Sequence, residues 1–364
     1  MKLVYCIDSL VSSGGTERVA ATKLNWLAIQ SGIELTLIKR VEEGKPFFPI
    51  SSKIHIIAIN ACDKESYKKQ LEKTLYTIRP DVSVVIGGWA VDCLYKIKDG
   101  SKKVLEFHYT KNFLVNFVNG LHSVRFKQLH LIKMRWLQWN LACTARRYDA
   151  FVGLTQRDVQ LWGNPKNMTY IYNPLSFRSE KKSTCESHRI IAVGSFTPAK
   201  GMDQLIHAFG KVAHHHLDWS LDIYGQGQDK NFMKALIAKY GIESQVNIYE
   251  PVSDIGEKLV ESSIYAFPSR SDGFGLVITE AMECGLPTVA FDCECGPREI
   301  VTPNTGFIVE DKDINAFAKA LDKLINDEDL RKSMGKNAKY EVERFYCDTI
   351  MPKWINLFKK LISE

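Results

Sequence analysis

No stretch of this chain approaches eighteen consecutive apolar residues, so no segment reads as membrane-spanning. The short apolar run at the start is broken by Asp8 and reads as a first strand, not a secretory signal. There is no G-x-G-x-x-G fingerprint, which argues against a nicotinamide oxidoreductase. There is no recognisable nucleic-acid module, and the formal charge of +6 is spread too thinly to mark one. That mild excess fits an anionic small molecule or an anionic membrane surface. The nine cysteines are odd in number and scattered, several in apolar segments such as Cys6 in LVYCI, as expected of buried thiols in a reducing cytoplasm. Cys293 and Cys295 have no second pair at zinc-site spacing, so no metal is expected there. The chain does have apolar content: 45% of its 364 residues, enough for two domains with sizeable cores.

Residues 268–287 carry the clearest chemistry. Asp272 precedes a turn containing Gly273, Phe274 and Gly275, and Leu276 begins a stretch of helical composition, LVITEAMEC, stopped by Gly285-Leu-Pro. The free N–H groups of such a helix start attract anions. Glu280, seven residues beyond Asp272, has Val277, Ala281 and Met282 around it and is expected to be buried. A buried carboxylate is costly unless satisfied, and a vicinal diol offers two O–H donors to its two oxygens. Diphosphate at the helix start, ribose on Glu280 and sugar hydroxyls on Asp272 together describe a nucleotide sugar.

Strands are predicted at 2–7, 33–39, 54–58, 82–86, 103–107 and 149–153, with helices at 16–31, 65–78 and 89–98. Polar residues 173–188, opening on Asn-Pro, read as a linker. A second alternation follows. Strands 189–194, 219–224, 245–249, 263–267 and 287–291 interleave with helices 201–214, 229–241, from 275, and 313–325. The pattern predicts an α/β fold of two doubly wound parallel sheets: an N-terminal Rossmann-like domain over 1–172 and a C-terminal one over 189–346. Asp311, Asp313, Asp327 and Asp329 sit where helices begin and read as caps rather than a metal-binding Asp-x-Asp. Gly14 and Gly15 precede a helix for which Thr16 is a candidate N-cap, and Lys200 follows the strand at 189–194.

The stretch from Asp272 to Glu280 resembles the Glu-x7-Glu signature of the retaining, family-4 glycosyltransferases, and the resemblance is dense from 189 to 345. It implies the GT-B architecture, two facing Rossmann-like domains with an interdomain cleft, and a final helix from about 347 to 364 packing back on the first domain. It implies donor-sugar contacts for Asp272 and ribose contacts for Glu280. GGTERV, with Gly14 and Gly15, resembles the family's glycine loop beside the donor. Lys200 matches the lysine that meets the diphosphate, and His108 the histidine near the sugar's primary hydroxyl. Gly225 matches a glycine close to the nucleotide, and 249–255 would border the base. Two departures stand out: Asp272 is one methylene, roughly 1.5 Å, shorter than Glu, and Ser195 replaces an arginine, with Arg270 and Arg298 as candidate substitutes.

The expected activity is transfer of a hexosyl unit from a nucleotide diphosphate sugar to a saccharide or lipid-linked saccharide hydroxyl, with retention. The donor is a co-substrate; no cofactor and no metal are expected. The family as a whole implies UDP, with GDP left open, and a role in bacterial polysaccharide or lipopolysaccharide biosynthesis. A transferase relic that binds saccharide without turnover is the alternative. Residues 113–147 mix Arg125, Lys127, Lys133, Arg135, Arg146 and Arg147 with Phe126, Trp136 and Trp139. They fit a peripheral contact with the inner face of the membrane, and equally an ordinary helix with snorkelling cations.

Overall fold

The runs that read as strands in the sequence pair into two all-parallel sheets. In the first, Lys2–Ile7 (β1), Glu34–Arg40 (β2), His55–Ile59 (β3), Val82–Val85 (β4), Lys102–Glu106 (β5), Ala150–Gly153 (β6) and Met168–Tyr170 (β7) lie in the order β3-β2-β1-β4-β5-β6-β7. In the second, Arg189–Val193 (β8), Ser220–Tyr224 (β9), Val246–Tyr249 (β10), Ile264–Phe267 (β11), Thr288–Phe291 (β12) and Gly306–Val309 (β13) follow β10-β9-β8-β11-β12-β13. In both sheets the strand order reverses beside the first strand, between β1 and β4 and between β8 and β11. Loops beyond the carboxyl ends of those strands are where open α/β sheets bind ligands. The computed structural model describes residues 1–40, 44–120, 126–252 and 254–364. Arg125 of the basic stretch and Ser253 of the segment after β10 lie outside them.

The chain divides into two compact units that exchange segments. Unit 1 comprises residues 1–111, 135–176 and 345–364; unit 2 comprises 112–134 and 177–344. A first domain running unbroken to 172 is therefore not what the structure groups together. Asn112 and Asn116 donate to the two oxygens of Glu294 at 2.5 and 3.0 Å, which ties the helix Phe113–Gly120 to the loop after β12. The residues read as a linker also divide, 173–176 with unit 1 and 177–188 with unit 2.

In unit 1 the sheet's apolar residues meet Leu24 and Leu27 of the helix Gly15–Ala28, and Ile350, Met351, Trp354 and Phe358 of the terminal helix Cys347–Ser363. Within this core lies an ion pair. Lys23 donates to Glu106 at 2.5 Å, and both side chains are 1% exposed. The Lys23 ammonium also sits 3.4 Å from the centre of the Trp354 ring. Burial lowers Lys23 to about 8, although Glu106 pulls the other way. Burial would raise Glu106, but Lys23 and His108 outweigh it and hold the carboxyl down at about 2.

Several local expectations change. Gly14, not Thr16, caps the helix Gly15–Ala28, because the Gly14 carbonyl already accepts from the Arg18 amide. The expected helix at 89–98 is two 3₁₀ turns, Trp89–Asp92 and Leu94–Lys96. Asp313 accepts from the Ala316 amide and Asp327 from the Leu330 amide, so both head helices.

Candidate functional site

In unit 2 the loops leaving β8, β9, β11 and β12 are stitched together at the carboxyl ends of the strands. The Phe196 amide donates to Gln226, and the Arg270 and Ser271 amides reach the Ala199 carbonyl. Two glycines permit this. Gly201 has φ +65°, and a Cβ there would fall 2.1 Å from the Pro268 carbonyl oxygen. A Cβ on Gly225 would fall 1.9 Å from the Gly194 carbonyl oxygen. Gly225 is thus needed for loop-to-loop packing whatever else it touches.

Lys200, at the end of the first loop, pairs with Asp272 of the third at 2.5 Å. The Lys200 side chain is 31% exposed and that of Asp272 15%. Burial opposes charge on both, but the pairing wins: Lys200 is raised and Asp272 lowered from their ordinary values. Asp272 has a second task. Its Oδ1 accepts from the Phe274 and Gly275 amides at 3.1 and 2.9 Å, so it organises the turn through Gly273 into the helix Leu276–Glu283. Gly275, the N-cap, has φ +94°, a conformation that favours glycine. Phe274 is buried beneath the turn, and Leu276 is half-buried at the helix head.

Glu280, one turn into that helix, is fully buried. So is Glu283, but its role is structural: the Lys339 ammonium lies 2.6 Å away and the Ser179 amide donates at 2.8 Å. Sequence reasoning missed Tyr265 of β11. Its hydroxyl is buried with no hydrogen-bond partner among the described residues. Its phenol is pushed well up, first by burial, then by the charges of Glu280 and Asp272. Both acids therefore sit close enough to act on one buried ring. No period or spacing marks Tyr265, because an inward tyrosine on a parallel strand reads as core.

Ser195 is exposed, its Oγ 3.3 Å from Thr197 Oγ1. Both candidate substitute arginines are already paired with an acid. Arg270 grips Asp203 with two nitrogens at 2.7 and 2.6 Å, and Arg298 pairs with Asp292. Glu294, which anchors Asn112 and Asn116, was also missed, hidden between Cys293 and Cys295. Both cysteines are buried, and burial, with Asp272 next, pushes the Cys293 thiol up.

Beside Tyr249 of the 249–255 segment is a cavity of about 490 Å³, lined by Tyr224, Tyr249, Pro251 and Val252 with Arg189 and Lys258. The two tyrosine rings stack at 4.7 Å. Lys200, Asp272 and Glu280 do not line it.

The remaining expected residues lie in unit 1. Gly14 and Gly15 follow β1, where Ser12 donates to Glu17 at 2.7 Å and a Cβ on Gly14 would strike Glu17. Gly15 is exposed with open space around it. His108 follows β5, and its Nε2–H donates to Glu106 at 2.8 Å. The buried pair that orients this imidazole was not read from the sequence, since Lys23 looks like one of many helix lysines.

Residues 176–341 match the sequence family described as Glycosyl transferases group 1. An uncharacterized glycosyltransferase of Haemophilus influenzae is 31% identical over 366 residues, covering 97% of this chain and 98% of that protein. The amylovoran biosynthesis glycosyltransferase AmsD of Erwinia amylovora is 27% identical over 97% of this chain and 98% of its own length. Among solved structures, sucrose-phosphate synthase from Thermosynechococcus elongatus superposes with a TM-score of 0.81 at 15% identity, covering 100% of this chain and 99% of that one.

Proposed function

Because the chain belongs to the group 1 glycosyl transferases and has the GT-B fold, we propose that it transfers a hexosyl unit from a UDP-sugar to a hydroxyl of a saccharide, free or lipid-linked, with retention of configuration. The pathway is assembly of a bacterial polysaccharide or lipopolysaccharide on the cytoplasmic side, as the similarity to AmsD supports. The observation that carries the reading is the placement of Lys200, Asp272 and Glu280 around one loop-to-helix turn at the reversal point of the second sheet.

A diphosphate arriving beside Lys200 competes with Asp272 for the ammonium. Lys200 then neutralises charge developing on the leaving nucleoside diphosphate, while Asp272 is freed to hold sugar hydroxyls. Leu276 and Val277 head the helix, where backbone N–H groups precede the first i−4 acceptor and favour phosphate oxygens. Glu280 takes the ribose diol. No nucleophile is needed: the acceptor enters from the leaving-group side and a donor phosphate oxygen takes its proton, so the protein contributes positioning and charge. By resemblance to the family, Gly14, Gly15 and His108 are further candidates for contact with the donor, and no metal takes part.

One observation favours a second reading, saccharide binding without turnover. Ser195 supplies no cation, and Arg270 and Arg298 are already held by Asp203 and Asp292. Nucleotide release from a panel of donors, with and without acceptor and with chelator present, separates the two. The binding test is a thermal-shift screen of UDP, GDP and their sugars, where a ligand at a hundred times its Kd adds roughly 2.7 kcal/mol. Glu280→Ala should abolish the UDP shift; wild-type donor binding by that variant overturns the ribose assignment.

A further inference from the structure

From Phe107 to Tyr148 the sequence contains none of the chain's 42 Asp and Glu residues, although Lys111, Arg125, Lys127, Lys133, Arg135, Arg146 and Arg147 fall within it. The longest element of this segment is the helix Lys127–Ala145, in which only Thr144 and Ala145 are buried. Leu129, Ile132, Trp136 and Trp139 are 63%, 61%, 59% and 64% exposed. Their 3-4-3 spacing puts them on one face. Lys133 is four residues from Leu129 and three from Trp136, while Arg135 is three from Ile132 and four from Trp139. Cations therefore flank the apolar stripe on both sides.

We propose that this face binds the surface of an anionic lipid bilayer, with the helix lying in the plane of the interface. Indole rings suit the boundary between headgroups and acyl chains, and flanking cations meet lipid phosphates. The helix does not cross: no helix among the described residues is long and apolar enough to do so. A 3-4-3 stripe also fits a paired helix from a second copy of the chain, but charge decides against that. Two such helices would bring Lys133 and Arg135 against their own kind, with no acid on either helix to answer them. An anionic surface answers every one of them. The inference stands on this helix alone and does not depend on the donor-site reading.

The test uses the full chain and vesicles of phosphatidylcholine, with and without phosphatidylglycerol. The protein should sediment with the anionic vesicles only, and added salt should release it. Brominated lipid should quench Trp136 and Trp139, read as the quenching lost in W136F/W139F. Lys127→Gln, Lys133→Gln and Arg135→Gln together should weaken binding by roughly 100-fold. None of these side chains is buried, so unchanged melting temperatures should accompany the losses. Equal sedimentation of the charge variant, or binding to neutral vesicles alone, overturns the proposal. So does a dimer in sedimentation velocity that W136S/W139S dissociates while neither protein binds vesicles, which would assign the face to a second copy.

Discussion

Replacing Lys23 with methionine should destabilise unit 1 far more than an ordinary lysine substitution. The methionine fills most of the same space, so little cavity is created. What changes is charge: Glu106, 1% exposed, loses the ammonium 2.5 Å away and the Trp354 ring loses its cation. Breaking a buried pair from one side costs about 3–5 kcal/mol, since the remaining charge is stranded. His108 still donates to Glu106, which places the expectation towards the lower end. The double variant Lys23→Met with Glu106→Gln removes both charges and should recover most of the loss, because exchanging a buried pair for neutral groups is often close to neutral. A two-domain chain need not unfold in one step. The assay is therefore urea denaturation paired with hydrogen exchange at the amides of Ile350–Leu361, which report on the terminal helix directly. A loss under about 1 kcal/mol for the single variant, or a double variant no more stable than it, would refute the reasoning.

Three further outcomes are expected. Asp272→Asn keeps an acceptor for the Phe274 and Gly275 amides but gives up the charge on Lys200. Turnover should fall about 10–100-fold while stability moves by less than about 1 kcal/mol, and a collapse in melting temperature would mark the acid as structural instead. Gly201→Ala should cost roughly 1–3 kcal/mol, because φ is positive and Pro268 blocks the new methyl; an unchanged melting temperature contradicts the loop geometry. On the acid side, Glu106 is held at about 2, below its ordinary carboxylate value. The unfolded chain then takes up the proton first as pH falls. The contribution of Glu106, about 3 kcal/mol, is complete above pH ~4.5 and lost between there and pH ~2. A Glu106→Gln protein should show a flatter acid limb in denaturant titrations, and an identical limb counts against the pair.

The sheets were legible because buried parallel strands are short unbroken apolar runs, as in LVYCI and IYAF, bounded by glycine or polar turns. The missed elements lack that mark. β7 has only three residues, and β13, with four, follows a polar Thr-Pro-Asn-Thr turn. The helix Glu328–Glu341 is rich in charge and reads as solvent. At the candidate site the loop-to-helix turn was legible because glycine, acid and helix start coincide. The bond from Asp272 to Lys200 was not, since it joins positions 72 residues apart. Glu294 with Asn112, and Lys23 with Glu106, are hidden for the same reason: pairing across distant segments leaves no local pattern.

The return of residues 347–361 to the first sheet sets an order of events during synthesis. Trp354 and Phe358 leave the ribosome only after all of unit 2 has been made, so unit 1 is completed after unit 2. Until then Leu24, Leu27 and the Lys23–Glu106 pair lack their cover. A premature stop that spares all of residues 177–344 should thus cripple the amino-terminal half, and a severed tail supplied as a separate peptide should be able to repair it.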